Sequence, residues 1–203
     1  MTTAPRALRQ LAACLAIGVS AVATLGASPQ YDRAQDSAAI QAFTERAEAY
    51  AVAHRSLAAS LPALGSRLDR HTLLISRAFL ASAIRAVRPN GRQGDILTPA
   101  VARIVRDVLA DAVDEGDLGT VVSAMDEEGR MLSGIHPRLY DPFPVGETIE
   151  LPASVLYRLP TLPAELEYRI VDFDLVLWDV YADLIVDVLP YAIAHPASDQ
   201  IYR

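Results

Sequence analysis

The chain has 203 residues, 52% of them hydrophobic and 21% charged, with 13 prolines, one cysteine and a formal charge of −7. That apolar content excludes disorder as the overall state, one cysteine excludes a disulfide scaffold, and the acidic balance excludes the phosphate-neutralising surface of a nucleic-acid binder. A single long uncharged apolar run, near the N-terminus, excludes a polytopic membrane protein.

That run has the layout of a secretory signal peptide. Arg6 and Arg9 supply a positive start, Leu11 to Leu25 carries no charge, and small residues allow cleavage after Ala23, Gly26 or Ala27. Residues 1–27 are therefore expected to be removed, so that the chain touches a membrane only through this segment and ends in the periplasm or the medium. A retained N-terminal anchor is the alternative. Leu11-Ala12-Ala13-Cys14 fits a lipobox, but the apolar stretch follows the cysteine instead of preceding it. Cleavage leaves a mature chain without cysteine, and so without thiol chemistry.

Residues 28–203 read as one α+β domain. In the helical part, 36–128, Asp36 or Ser37 is placed to cap a first helix. Ile40, Phe43, Ala47, Tyr50, His54, Leu57 and Leu61 then form one apolar stripe, stopped by Pro62. A second helix is expected from Ser66 or Asp69 to Val87, burying Leu73, Leu80, Ile84 and Val87. After the loop 88–94, Thr98 caps a third helix with Pro99 in its first turn. Asp117 caps a short fourth one through Val121, Val122 and Met125. Residues 129–165 are a proline-rich connector containing one short helix at about Pro152 to Arg158. Leu166–Val171, Leu175–Val180 and Leu184–Leu189 read as a three-stranded antiparallel meander, with Trp178 anchoring it on the helices. A tail, 191–203, follows.

All 18 basic residues are Arg. Residues 28–110 hold 11 of them against 7 acids, and residues 111–203 hold 5 against 18. Solvated faces are the expected reading of this asymmetry, with attraction between the halves the alternative.

Four strings carry a resemblance: Tyr50-x-x-x-His54-Arg55; Gln93-Gly94-Asp95-Ile96-Leu97-Thr98-Pro99; Leu162-Pro163-x-Glu165-Leu166-x-Tyr168-Arg169; and Leu175-Val176-Leu177-x-Asp179-x-x-Ala182-x-Leu184-Ile185-Val186-Asp187. From about Ala42 to Leu189 the chain resembles a family of exported bacterial proteins of unknown function. The resemblance implies export and a shared fold, and no activity. The meander alone is weakly similar to the C-terminal hairpin of periplasmic nickel and cobalt homeostasis proteins.

Among chemistry-bearing residues, His54, His71, His136 and His195 lack any metal-ligand spacing, so no metal and no cofactor is expected. His54 stands out because it lies on the apolar stripe, where an imidazole needs a partner. Asp179 and Asp187 fall at even spacing in the meander, which directs them to its wet face. Arg92, in a loop ahead of a helix N-terminus, is a candidate anion contact. Asp95 either prepares that helix start or serves His54 as an acidic partner.

The expected function is that of a non-catalytic exported protein binding an envelope protein or a small ligand, with His54, Arg92 and Asp95 as candidate contacts. An exported enzyme using His54 with Asp95 or another acid is the alternative.

Overall fold

A computed structural model describes residues 29–61, 70–119, 122, 136–144 and 148–193. The expected signal segment, most of the expected fourth helix, parts of the connector and the end of the tail lie outside the described residues. The fold is α+β, with N-terminal helices packed against a C-terminal antiparallel sheet.

Helix α1 spans Pro29–Ser60. It begins ahead of the expected cap because proline suits a first turn, its missing N–H being unpaired there anyway. Asp36 is therefore inside the helix, where it pairs with Arg103 of α3 (Pro99–Asp114). Phe43, Ala47, Tyr50 and His54 are buried as the stripe predicts, with Leu57 and Leu61 packed at its end. Ile40 is exposed and Ala39 is buried instead. A 3.5-residue step drifts against a 3.6-residue helix, and the drift carries the first member off the stripe.

Helix α2, Arg70–Val87, buries Leu80, Ala81 and Ile84 only. Leu73 and Val87, expected inside, are exposed, as are Leu74, Ile75 and Phe79. The helix leans chiefly on α1, and one neighbour covers only a narrow stripe. In α3, Val101, Ala102, Val105, Leu109 and Ala112 face the core. Gly116, at φ +87, ends that helix in the left-handed conformation glycine adopts freely.

The sheet has four strands in the order β1-β2-β3-β4: Thr148–Ile149, Leu166–Val171, Asp174–Asp179 and Leu184–Leu189. The three-stranded meander is present, and β1 adds an edge too short to leave a periodic signal. A short helix α4, Ala153–Leu156, lies between β1 and β2. Asp172 and Asp183 take positive φ in the two hairpin connections, a conformation aspartate tolerates.

Leu166, Tyr168, Ile170, Leu175, Leu177, Leu184, Val186 and Leu189 join the buried helix residues in one cluster. The opposite face carries Val171, Val176, Ile185 and Val188. Trp178 belongs to that second face, not to the helix side. It stacks on Phe143 of the connector, centroids 4.3 Å apart, because it alternates with Leu177 and Asp179. The connector also caps the sheet edge: the Tyr140 N–H donates to the Ile185 carbonyl at 2.8 Å, and the Ile185 N–H to the Asp141 carbonyl at 2.9 Å.

One irregularity positions the site. Leu177 pairs with Asp187, whereas Trp178 pairs with Ile185, so Val186 is an extra residue at a β-bulge. The bulge brings Asp187 onto the helix-facing side together with Val186. Without it, strict alternation would leave Asp187 on the face of Ile185.

Candidate functional site

Asp179 and Asp187 are fully buried, at 0% exposure, and not on a wet face as even spacing suggested. Each organises a piece of the helical half. A buried carboxylate is tolerated only when its oxygens are filled by donors, and both are filled.

Asp187 Oδ2 accepts the N–H groups of Ile96 and Leu97, each at 2.8 Å. Its Oδ1 accepts those of Gly94 at 2.6 Å and Val188 at 2.8 Å. The loop entering α3 is thus pinned by an anion supplied from the sheet. Thr98 makes no side-chain cap bond. The amides of Gly94, Ile96 and Leu97, in the loop that carries Arg92, already hold Asp187. Arg92 is exposed, and its N–H donates to Asp95 Oδ2 at 2.8 Å.

Asp179 forms the second hub. Its Oδ2 receives the Tyr50 hydroxyl at 2.6 Å and faces His54 Nδ1 at 2.6 Å. Its Oδ1 accepts the N–H groups of Tyr181 at 3.0 Å and Ala182 at 2.8 Å. Tyr50 and His54 are one helical turn apart on α1, so both reach the same oxygen. Burial, and then the adjacent carboxylate, push the Tyr50 hydroxyl far above its ordinary value, so it stays protonated and donates. The carboxylate accepts from Nδ1, so that nitrogen carries a proton. Nε2 makes no hydrogen bond to the described residues.

The acidic partner of His54 is therefore Asp179, not Asp95. Asp95 is half-exposed and lies 3.9 Å from the Arg88 guanidinium. Arg88 in turn sits 5.3 Å above the centre of the Tyr50 ring, a cation–π contact. Among the described residues, Asp95 touches this network through Arg88.

His54 is 4% exposed, yet it lines an open groove of about 520 Å³ between α1, the first half of α2 and the β3–β4 turn. Ala58, Leu61, Leu73 and Leu80 form the apolar wall, and Ser76, Arg77 and Tyr181 add polar groups. Arg55 is neutralised there by Glu165, at 3.0 Å, and by Glu48. The Tyr181 ring is exposed, with its centre 5.7 Å from that of His54. A second groove, about 630 Å³, runs between α4 and β2, but its one charged pair, Glu167 and Arg169, is matched internally.

Of the three sequence candidates, His54 lines the first groove, while Arg92 and Asp95 share the loop before α3. Among the described residues no group of three His, Cys, Asp or Glu is arranged to hold a metal ion, and no helix is long and apolar enough to cross a membrane. Asp179, Asp187, Tyr50 and Arg77 were not singled out as site residues from sequence. The available signal for Asp187 was its setting, a lone charge inside Leu184-Ile185-Val186-Asp187-Val188-Leu189. Comparison with known proteins finds no matching family model, no matching curated protein and no matching solved structure.

Proposed function

We propose that the chain is an exported, non-catalytic binding protein that holds a small ligand in the groove lined by His54, Leu73, Arg77 and Tyr181. The observation that carries this reading is the division of polar groups around the groove. Tyr50 pairs with Asp179 and Arg55 with Glu165, whereas Arg77 has no hydrogen-bond or ion-pair partner among the described residues and lines the groove with His54 beside an apolar wall. A concave site of a few hundred Å³, mostly apolar with a few convergent polar groups, suits a small molecule. The signal-like N-terminus and the resemblance to exported bacterial proteins support export.

Native mass spectrometry of protein recovered from the envelope fraction tests the reading. A bound small molecule is expected, and it should be absent from Ser76→Trp, which fills the groove. Ligand-free wild-type protein would overturn it. N-terminal analysis of the same material tests export, with a chain starting near Thr24 to Ser28 expected.

An exported hydrolase is the second reading, favoured by one observation: His54 is held by a carboxylate at Nδ1 and lines a groove that also contains Ser76. Against it, no hydroxyl among the described residues is hydrogen-bonded to His54. Ester hydrolysis lost in both His54→Gln and Ser76→Ala would establish it over the first reading.

A further inference from the structure

The groove lining narrows the chemistry of the occupant. It carries two guanidinium groups and one carboxylate. Arg55 is consumed by Glu165 and Glu48. Arg77 makes no ion pair or hydrogen bond to any described residue, and it is half-buried, so its charge is the unmatched one in the groove. A guanidinium without an internal partner presents a planar fork of donors, which fits a carboxylate with two parallel hydrogen bonds.

The remainder of the lining is hydrocarbon. Ala58, Leu61, Leu73 and Leu80 line one wall, and Leu73 is exposed although it would gain from cover. His54 and Tyr181 border the same space. A cation would meet the unmatched Arg77, and a wholly apolar molecule would strip water from it without compensation.

We propose that the groove binds a single-chain alkyl carboxylate, its carboxylate on Arg77 and its chain against Leu61, Leu73 and Leu80. This rests on the small-ligand reading above and adds the class of ligand.

The test uses octanoate, octyltrimethylammonium and octanol as probes, titrated into the purified protein and followed by NMR. Octanoate is expected to shift the signals of Leu61, Leu73 and Tyr181 saturably. Arg77→Gln should weaken it at least ten-fold, and Arg77→Lys should restore part of the loss. An unchanged unfolding midpoint verifies that both variants fold. Equal octanoate affinity in Arg77→Gln, or equal affinity for octyltrimethylammonium or octanol, would overturn the carboxylate assignment and leave groove binding intact. Failure of all three probes, with a native ligand still lost in Ser76→Trp, would also refute only the carboxylate. Failure of both experiments would remove the two proposals together.

Discussion

The Asp187 carboxylate and the Gly94 N–H, 93 positions apart in sequence, meet at 2.6 Å. With Ile96 and Leu97 on its other oxygen, Asp187 does for the α3 entry loop what a capping side chain does for a helix, but from a different element. Asp187→Ala should leave those amides unpaired in a buried setting and destabilise the fold by on the order of 3 kcal/mol or more. Asp187→Asn should cost less, because one oxygen still accepts. Urea unfolding measures both, and wild-type midpoints for Asp187→Ala would refute the role.

Tyr50 and His54 share one oxygen of Asp179, so their contributions are expected to couple. Tyr50→Phe should cost about 1.5–3 kcal/mol, the range for a hydrogen bond to a charged group. His54→Ala should cost about 2–4 kcal/mol from the void and the unfilled acceptor, and His54→Gln less. In a double-mutant cycle of Tyr50→Phe and His54→Gln, a coupling of about 0.5 kcal/mol or more is expected. Strict additivity would mean that the two groups act separately.

Asp174 should make the protein relatively more stable toward acid. Burial raises its carboxyl above the ordinary value, partly offset by the Tyr191 N–H at 2.8 Å. A raised value in the folded state means that folding binds a proton, so this contribution is complete below the unfolded value and is lost as pH rises through the folded one. Asp174→Asn, which keeps the acceptor for Tyr191, should raise stability at neutral pH and flatten the dependence in the mildly acidic range. A steeper dependence in the variant would contradict this.

Gly91 leaves room for Tyr140, because a Cβ there would overlap the Tyr140 hydroxyl. That hydroxyl donates to the Arg88 carbonyl at 2.8 Å and ties the connector to the end of α2. Gly91→Ala should therefore cost about 1–3 kcal/mol, as overpacking does. Adding Tyr140→Phe should recover part of the loss, since it removes the nearest clashing atom. Thermal unfolding of the two single variants and the double variant decides it; a double variant as unstable as the sum of both would rule out the clash.

Much of the fold was legible because it rests on periodicity. The stripe from Phe43 to Leu61 and the three strands of the meander follow directly from spacing and turn residues. The site was not legible for three physical reasons. Alternation within a strand tells which residues share a side but does not say whether the side that carries Asp179 is wet or holds a helix. The bulge at Val186 resets alternation by one residue without a glycine or proline to mark it. The partner of His54 depends on how α1 crosses the sheet, and no local pattern encodes a pairing across 125 positions. The exposure of Leu73 and Val87 has a related cause, since apolar residues announce a buried face but not how much of it a neighbour covers.

The bulged β4 strand also bears on the order of assembly. Synthesis runs from the N-terminus, so α1, α2 and the α3 entry loop exist before Asp179 and Asp187 have been made. Until then the amides of Gly94, Ile96 and Leu97 and the Tyr50 hydroxyl lack their acceptors, and Phe43 and Val105 lack the sheet that completes their cluster. Contacts of such long sequence separation form slowly. A nascent chain released at Pro163 is accordingly expected to show little amide protection in α3, and full protection should arise only after Leu189 has emerged. The last strand made thereby sets when the first helices can settle.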